Sequence, residues 1–310
     1  MKKVLVFGSG GFVGNYISKE FADSGYEVYG TDVLPNYNYT KYIVKYYKLD
    51  IMDADGVYEL IKTIKPYYII NLAAVSSVGE SWKKPQRTIE INVNGSLNIL
   101  DAVRKLKYST RILMIGSSEE YAVSSKKIAE DYKIDANNPY GISKIMQEKI
   151  IDLYRTEYGL DIISTRTFNH TGVGQIDKFA IPSFIKQVVS VKNKPGEKKI
   201  MVGNLNVHRD IGDVRDMVRA YRLILEGNSK QHVFNVGSGK CYLLDEIVDY
   251  IVGLTGQSIE KVEDKSKVRP IDNNIVWCDN ALIKKELGWT PLYTVYDAID
   301  LMYYDMIKDE

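Results

Sequence analysis

The alternation of short apolar runs with helical patterns in the first half of the chain limits the possible folds most strongly. Val4–Phe7 is an apolar run, and Phe12–Ser24 follows it with a helical pattern. Further apolar runs, such as Tyr68–Leu72 and Ile162–Arg166, alternate with predicted amphipathic helices, of which Thr88–Leu106 is a long one. This alternation is typical of β-α-β units, whose parallel strands lie between two layers of helices. It predicts an α/β fold with a doubly wound parallel sheet of the Rossmann type.

A glycine-rich turn joins the first predicted strand to the first predicted helix. Gly8, Gly11 and Gly14 follow one another at intervals of three residues. Glycine permits a tight turn and the close approach of a pyrophosphate, which the N–H groups at the start of the helix can then bind. The loop, which also contains Phe12 and Val13, is therefore predicted to bind a dinucleotide.

Acidic residues follow the next two predicted strands. A carboxylate at Asp32 can accept both hydroxyls of a ribose and repels a 2′-phosphate, and no arginine adjoins it in the sequence. This favours NAD(H) over NADP(H). Asp50 could hold the adenine amino group while Ile51 packs on the ring, or Asp50 could cap a helix; both interpretations stay open.

The regular alternation of predicted strands and helices ends after about residue 170, and a smaller mixed α/β lobe is expected from there on. We expect residues 1–168 to form the NAD-binding domain, with 205–240 partly returning to it. Residues 169–310 are expected to form mainly the substrate lobe. Ligands of two-lobed α/β proteins usually bind in the cleft between the lobes.

The composition excludes several classes of protein. With 41 Lys+Arg against 40 Asp+Glu, the net charge of +1 argues against a broad basic face for nucleic acid or for a membrane surface. Two cysteines without a Cys-x-x-Cys pattern and three scattered histidines leave no predicted metal site. No apolar run approaches the ~18 residues of a membrane span. A cytoplasmic enzyme without nucleic-acid or membrane partners is expected.

A tyrosine and a lysine four residues apart form the candidate catalytic pair. At the start of a helix, Tyr140 and Lys144 share one face, and a nearby ammonium stabilises a phenolate. Ser117 and Ser118 follow the apolar run Arg111–Ile115. A hydroxyl at the carboxyl end of a parallel strand points into the ligand crevice, so either serine could bind the reacting oxygen there. A Tyr-x-x-x-Lys pattern alone is common on helix surfaces, so these residues indicate chemistry only together with the nucleotide-binding half.

In combination these motifs resemble the extended short-chain dehydrogenase/reductase superfamily, in its NAD-dependent epimerase/dehydratase branch. The resemblance covers nearly the whole chain and implies that Ser117 is the catalytic Ser/Thr, with Ser118 beside it. Its further marks are Asp50-Ile51, Asn71-Leu72-Ala73-Ala74, Asn92, Arg269-Pro270 and Leu287-Gly-Trp-Thr-Pro291. It implies cofactor contacts for Leu72, Ala73, Ala74 and Asn92, and for Tyr140 and Lys144 in addition to their catalytic role.

Three segments narrow the resemblance: Ser117–Tyr121, Asn138–Lys144 and Arg166–Gln175. They are most similar to the GDP-6-deoxy-4-keto-mannose reductases and next to the GDP-mannose 4,6-dehydratases. Val173 and Ala122 depart from the usual proline and glycine near the sugar pocket. The resemblance implies a GDP-sugar substrate and a homodimer or tetramer formed through the helices of Asn92 and Tyr140. The implied substrate-binding residues are Ser77, Ser118, Asn169, Arg209 and Arg269.

The implied reaction is hydride transfer at C4 of a GDP-linked manno-type sugar in surface-polysaccharide biosynthesis. The enzyme would be a 4-dehydrogenase of GDP-mannose or GDP-manno-heptose, or a reductase of a GDP-4-keto-6-deoxy sugar. Glu119 matches the dehydratase glutamate, so a 4,6-dehydratase stays an alternative, as does a C4 epimerase. A non-catalytic NAD(H)-binding regulator is the alternative of another class.

Overall fold

The computed structural model describes residues 1–34, 40–192, 194–196, 198–265 and 273–308. The strands are β1 Lys3–Phe7, β2 Glu27–Asp32, β3 Lys45–Lys48, β4 Tyr68–Asn71, β5 Arg111–Ser117, β6 Ile162–Thr167, β7 Asn169–Thr171, β8 Lys199–Val202, β9 His208–Asp213, β10 Val233–Val236, β11 Cys241–Leu243, β12 Glu260–Glu263 and β13 Ile275–Val276. The helices are α1 Phe12–Asp23, α2 Ala54–Ile64, α3 Val78–Lys83, α4 Pro85–Ile89, α5 Gly95–Leu106, α6 Pro139–Tyr158, α7 Ala180–Lys192, α8 Val214–Glu226, α9 Leu244–Gly253, α10 Ala281–Leu287 and α11 Val295–Lys308.

A parallel sheet of seven strands dominates the described part of the chain, in the order β10-β6-β5-β4-β1-β2-β3. Every neighbouring pair in it is parallel. The chain runs outward from β1 to β3 and then crosses back to β4 on the other side of β1. Because all strands are parallel, their carboxyl ends meet at one edge, and the reversal beside β1 opens a crevice there. The predicted doubly wound α/β fold is confirmed.

Helices cover both faces of this sheet. One hydrophobic core joins the sheet to α1 and α8 through fully buried residues such as Ile17, Phe21 and Tyr221. A second core joins the opposite face to α2, α5 and α6 through residues such as Ile61 and Ile99. Burial of each large apolar side chain contributes about 1.5–3 kcal/mol, so these two layers stabilise the sheet from both faces.

The second half adds the smaller mixed lobe that the sequence predicts. β11, β9 and β13 form a small sheet in which β7 pairs with β9, and β12 pairs with β8. A separate core lies between α7, α9 and α11. Within residues 205–240, β9 belongs to this small sheet, whereas α8 and β10 return to the main core and sheet.

The stretch predicted as one helix over Thr88–Leu106 is divided in the structure. A π-helical turn at Glu90–Asn94 separates α4 from α5. Inside that turn the Asn92 side chain bonds the main chain of Val75, accepting its N–H and donating to its C=O. A π-bulge commonly marks a functional position in a helix.

The described ranges contain neither a membrane-spanning helix nor a cluster of metal-binding side chains. No helix among them is long and apolar enough to cross a lipid bilayer. No group of three or more His, Cys, Asp or Glu residues in these ranges could hold a metal ion.

Candidate active site

The glycine turn between β1 and α1 is packed so closely that side chains are excluded from it. Gly8 has φ +80°, and a Cβ there would lie 2.7 Å from the Ala73 nitrogen. At Gly14 a Cβ would lie 2.6 Å from the Gly8 oxygen and from two main-chain atoms of Ser9. Two of the three glycines are therefore required by the fold itself, since they let β1, α1 and the turn after β4 touch.

Gly11, by contrast, faces open space at the beginning of α1. A Cβ there would meet only the Gly8 oxygen, at 3.4 Å. Gly11 is the N-cap of α1, and no side chain caps that helix end. The first N–H groups of a helix have no partner within it, so this end can accept an anion. The ring of Phe12 stacks on His170 at 6.2 Å beside it. The loop thus fits the diphosphate of a dinucleotide, with Val13 packed against the core behind it.

Asp32 ends β2 beside the same loop. Its carboxylate accepts hydrogen bonds from the Gly10 N–H at 3.2 Å and from the Leu34 N–H at 3.1 Å. Each carboxylate oxygen has a second lone pair, so both remain able to accept ribose hydroxyls. The structure therefore fixes a negative charge next to the helix start, where a ribose 2′-phosphate would be repelled.

Asp50 and Ile51, the residues predicted to contact the adenine, follow β3 farther along the same edge of the sheet. Asp50 accepts the Met52 N–H at 2.9 Å in the turn that precedes α2. The N-cap of α2 is Asp53, which accepts the Gly56 N–H at 3.0 Å, so the interpretation of Asp50 as the helix cap is wrong. Ile51 is 6% exposed and packs against α5, where a Cβ on Gly95 would approach it within 2.8 Å. Ile51 is thus part of the core, and its predicted contact with an adenine ring stays a prediction.

The turn after β4 carries the segment Leu72-Ala73-Ala74, which is half-buried next to Gly8. Asn71 shapes this turn, because its side-chain oxygen accepts the Ala73 N–H at 3.1 Å. Asn92 lies behind it, 1% exposed, and also donates to the Ser143 hydroxyl on α6 at 2.9 Å. Asn92 therefore ties this turn to α6, and its predicted cofactor contact stays a prediction.

Ser117 is the last residue of β5, at the carboxyl edge of the sheet. Its hydroxyl accepts the Glu119 N–H at 3.2 Å, and its own N–H donates to the Glu120 carboxyl at 2.7 Å. This reciprocal capping box fixes the turn Ser118–Glu120 that follows the strand. Ser118 lies in that turn and is 8% exposed.

Tyr140 lies in the first turn of α6, whose start is held by two other residues. Asn138 accepts the Gly141 N–H at 2.9 Å, and the buried Ser81 hydroxyl accepts the Tyr140 N–H at 3.2 Å. Burial raises the pKa of the Tyr140 phenol, a hydrogen bond with the Ser117 side chain lowers it, and Glu120 raises it. The predicted serine and tyrosine are thus brought together.

Lys144 follows one turn later, and its side chain is buried. Its ammonium lies 6.0 Å from the centroid of the Tyr140 ring and donates to the Ile115 carbonyl and to Gln147 Oε1. Burial lowers the pKa of Lys144, and the neighbouring Glu120 raises it. Gln147, which sequence reasoning missed, has the spacing expected of a same-face helix partner.

Glu119 lies half-buried in the turn after Ser117, facing the start of α6. Its Oε2 accepts a hydrogen bond from Asn138 Nδ2 at 2.8 Å. Sequence reasoning missed Asn138, although an N-cap asparagine directly before a proline is a recognised sign of a helix start. The pair places a carboxylate beside Tyr140, so the site holds a candidate acid or base in addition to the phenol.

The predicted substrate residues lie on the other lobe and on the rim. Asn169 is exposed on β7, which pairs with β9, and Arg209 lies on β9. The Arg209 guanidinium donates to the carbonyls of His208 and Asn273 at 2.9 and 2.6 Å. Ser77 caps α3 by accepting the Glu80 N–H at 3.3 Å. Arg269, with Pro270, lies outside the described residues.

Comparisons with known proteins agree with this geometry. The family model described as GDP-mannose 4,6 dehydratase matches residues 5–302. A GDP-6-deoxy-D-mannose reductase of Pseudomonas aeruginosa is 27% identical over 98% of this chain and 97% of its own. The solved structure of RMD from Pseudomonas aeruginosa complexed with NADPH is 26% identical, covers 100% of both chains and superposes with a TM-score of 0.87. UDP-glucose 4-epimerase from Brucella ovis in complex with NAD is 26% identical over 98% of both chains, with a TM-score of 0.88.

Proposed function

Because the chain belongs to the GDP-mannose 4,6 dehydratase family, we propose that it transfers a hydride between NAD(H) and C4 of a GDP-linked manno-type sugar. The observation that carries this proposal is the grouping of Tyr140 and Lys144 around Ser117, which ends β5 at the same edge of the sheet where β1 leads into α1. The full-length similarity to a GDP-6-deoxy-D-mannose reductase supports the same substrate class. The chemistry is oxidation of GDP-mannose or GDP-manno-heptose, or reduction of a GDP-4-keto-6-deoxy sugar, and its place is surface-polysaccharide biosynthesis.

Proton transfer at the sugar C4 oxygen belongs to Tyr140. In the oxidative direction the phenol oxygen takes the hydroxyl proton, and in the reductive direction it returns that proton. Ser117 holds the same sugar oxygen by a hydrogen bond, and the Lys144 charge stabilises the phenolate. Bound NAD supplies the hydride acceptor, NADH the donor, and the oxidised form adds a positive charge. That added charge matters because burial alone raises the pKa of Tyr140.

The cofactor proposed for this chain is NAD(H). Gly8, Gly11 and Gly14, with the N–H groups of Phe12 and Val13, form the diphosphate site. Asp32 binds the ribose and excludes a 2′-phosphate. One relative is complexed with NADPH and another with NAD, so the family accommodates both, and the charge of Asp32 is the feature that favours NAD here.

The smaller lobe binds the nucleotide sugar in this proposal. Arginine guanidinium groups neutralise a diphosphate by forked hydrogen bonds. Arg209 supplies one such group on β9, the strand that pairs with β7 and its exposed Asn169. Arg269 is proposed as the second arginine from its sequence motif. The proposed division of labour assigns residues 1–168, with part of 205–240, to the cofactor and residues 169–310 mainly to the sugar nucleotide.

A 4,6-dehydratase is the second candidate, and one contact favours it. Asn138 holds the Glu119 carboxylate at 2.8 Å beside Tyr140. After oxidation at C4, a base must remove the C5 proton and an acid must release the C6 oxygen, and one carboxyl group can serve both steps. A C4 epimerase would use Tyr140 and Ser117 with bound NAD, which takes up the C4 hydride and returns it, and would not need Glu119. The non-catalytic regulator needs neither Tyr140 nor Ser117.

Turnover with defined substrates tests these candidates. The protein would be mixed with GDP-mannose and NAD⁺, with GDP-manno-heptose and NAD⁺, and with GDP-4-keto-6-deoxy-mannose and NADH, and followed at 340 nm and by mass. Net NADH formation or consumption supports hydride transfer at C4. Loss of water without net NADH supports the dehydratase, and Glu119→Gln should then stop it. If the wild type changes neither the absorbance at 340 nm nor the mass of the sugar nucleotide in any of the three reactions, the proposal is contradicted.

Tyr140→Phe separates catalysis from binding in the same assay. The variant retains the ring that fills the site and loses only the oxygen that carries the proton. We expect turnover to fall at least about a hundredfold, the lower range for loss of a general acid or base, while NADH still binds. A full rate in Tyr140→Phe would remove the phenol from the mechanism.

We further propose that the chain forms a homodimer, or a tetramer built from it, through α6. Ile142, Met146 and Leu153 lie on one stripe of that helix and are 44%, 40% and 52% exposed. Apolar side chains at this spacing form a stripe that another helix can cover. A second copy of α6 is the occupant, and light scattering of the purified protein tests the mass.

A further inference from the structure

The segment Asn169–Gln175 connects the smaller lobe to the helix that begins at the proposed diphosphate site. Its first residues form β7, which pairs with β9 of the small sheet. Residues of the same segment also lie against the beginning of α1, where Phe12 and Tyr16 contact them. Because Asn169 belongs to the proposed sugar-nucleotide site, this segment joins the two proposed binding sites directly.

The side chain of Gln175 closes the segment on itself. Its Nε2 donates to the His170 carbonyl at 3.1 Å, and its Oε1 accepts the Thr171 hydroxyl at 2.7 Å. The Gln175 N–H donates to the Gly172 carbonyl at 3.2 Å, and Gly174 within this turn has φ +87°, which glycine adopts without strain. The segment is therefore a unit with its own hydrogen bonds, so an anchor at one residue also places the others.

Two aromatic side chains of α1 provide such an anchor. The Tyr16 hydroxyl donates to the Val173 carbonyl at 2.9 Å. Phe12, four residues earlier on the same face of α1, stacks on His170 with the ring planes 14° apart. The rings of Phe12 and Tyr16 also meet edge to face, with their centroids 5.6 Å apart. Phe12 and Tyr16 thus form an aromatic seat for the segment.

The packing at Gly172 shows how closely the segment lies on this seat. A Cβ at Gly172 would lie 2.6 Å from Val214 Cγ1 and 3.5 Å from both Phe12 Cζ and the Tyr16 hydroxyl oxygen. Protein interiors packed at such density transmit a displacement to their neighbours. The place of Asn169 at the head of the segment therefore depends on α1 and on the start of α8.

We propose that Tyr16 is a positioning residue of the sugar-nucleotide site, which acts through Asn169 by anchoring the segment Asn169–Gln175 to α1. The proposal rests on the proposed function of Asn169 and gives Tyr16 a role that needs no contact with either ligand. Because the cofactor diphosphate lies at the start of the same helix, α1 then sets the distance between the two ligands. Hydride transfer depends on that distance, since a misplacement of 1 Å can cost about a hundredfold in rate.

Tyr16→Phe tests this role, because it retains the ring of the aromatic seat and removes only the hydroxyl. Calorimetry would measure the affinity of the NADH-loaded protein for GDP-mannose, which NADH cannot oxidise. Loss of the hydrogen bond to Val173 should weaken the binding of GDP-mannose about fivefold and leave the binding of NADH unchanged. Unchanged affinity for GDP-mannose in Tyr16→Phe overturns the proposal.

Tyr26→Phe is the matched control for this substitution. The Tyr26 hydroxyl donates to Glu226 Oε1 at 2.8 Å, and Tyr26 directly precedes β2 at the amino edge of the main sheet. The control therefore removes one hydroxyl with a hydrogen bond of similar length, at the edge opposite the proposed active site. It should bind GDP-mannose and NADH with wild-type affinity. A loss of GDP-mannose affinity as large as that of Tyr16→Phe would contradict a specific role of Tyr16.

A double-mutant cycle with Asn169→Ala tests whether Tyr16 acts through Asn169. Once the Asn169 amide is absent, its placement no longer matters, so adding Tyr16→Phe should weaken the binding of GDP-mannose no further. Effects that simply multiply in the double variant would mean that Tyr16 acts independently of Asn169. That result would overturn the proposal.

Hydrogen exchange followed by mass spectrometry measures the anchoring without any sugar nucleotide. Tyr16→Phe should accelerate deuterium uptake in peptides that cover residues 169–175, whereas peptides from α9 should exchange at the wild-type rate. Equal uptake in the segment overturns the proposal. If the wild type binds no GDP-mannose, the proposed substrate class is wrong, and the exchange rates still decide whether Tyr16 anchors the segment.

Discussion

Two neighbouring glycines of the same turn should fail in different ways when each is changed to alanine. At Gly14 the new Cβ would lie 2.6 Å from three main-chain atoms of Gly8 and Ser9, which cannot rotate away. At Gly11 it would touch only one atom, at 3.4 Å, and φ there is −82°, which alanine adopts freely. Gly14→Ala should therefore damage the fold, and Gly11→Ala should damage only the diphosphate site.

The magnitudes follow from this packing. Overpacking costs about 1–3 kcal/mol, and the immobile neighbours of Gly14 place it at the upper end. Since alanine inside a helix recovers about 1 kcal/mol relative to glycine, the net loss in the free energy of unfolding is about 2 kcal/mol. For Gly11→Ala, the weaker N-cap and the stiffer unfolded chain nearly cancel, so the change stays within about 0.5 kcal/mol.

Urea unfolding followed by circular dichroism measures the free energy of unfolding of both variants. Fluorescence titration with NADH measures their affinity for the cofactor. Gly11→Ala should weaken NADH binding at least about tenfold, which corresponds to 1.4 kcal/mol, because its methyl group occupies the diphosphate position. The reasoning is refuted if Gly14→Ala is as stable as the wild type, or if Gly11→Ala binds NADH with wild-type affinity.

Three other predictions concern the cofactor, a buried carboxyl and the interface. Asp32→Asn should weaken NADH binding and reduce the preference for NADH over NADPH at least about tenfold, because the repelling charge is lost; unchanged preference in fluorescence titrations would contradict the role of Asp32. Burial raises the pKa of Asp210 to about 6, so the native state binds its proton more tightly than the unfolded chain does. The free energy of unfolding should then fall by about 3 kcal/mol as the pH rises from about 4 through 6, and urea titrations of Asp210→Asn should lack this component. Met146→Lys should convert the dimer to monomer in light scattering, whereas Leu301→Lys on α11, where the side chain is 48% exposed against 40% for Met146, should not.

The features that the sequence predicted correctly are those encoded over short distances. The alternation of strands and helices predicts the main sheet because each element carries its own hydrophobic period. The spacing of Tyr140 and Lys144 predicts a shared helix face because four residues make about one turn. The mixed lobe was predicted only as a class, and α3 and α11 were missed because tertiary packing, more than local pattern, stabilises such elements.

The features that could not be predicted depend on contacts between distant segments. A run such as Ser117-Ser-Glu-Glu-Tyr121 is typical of an exposed turn, and only the fold shows that Glu120 is fully buried. Asn92 lies in what reads as a regular helix, yet its bonds to the main chain of Val75 accompany a π-helical turn. Polar residues of this kind are identified only when their partners from other strands and helices are known.

Hydride transfer between the nicotinamide and the sugar C4 is tested most directly by isotope tracing. The purified protein would be incubated with a GDP-4-keto-6-deoxy sugar and NADH deuterated at the nicotinamide C4, and the product would be examined by mass spectrometry and NMR. We expect one deuterium at C4 of the sugar in the wild type and none in Tyr140→Phe. A product without deuterium at C4, or the same labelled product in Tyr140→Phe, would contradict the proposed chemistry.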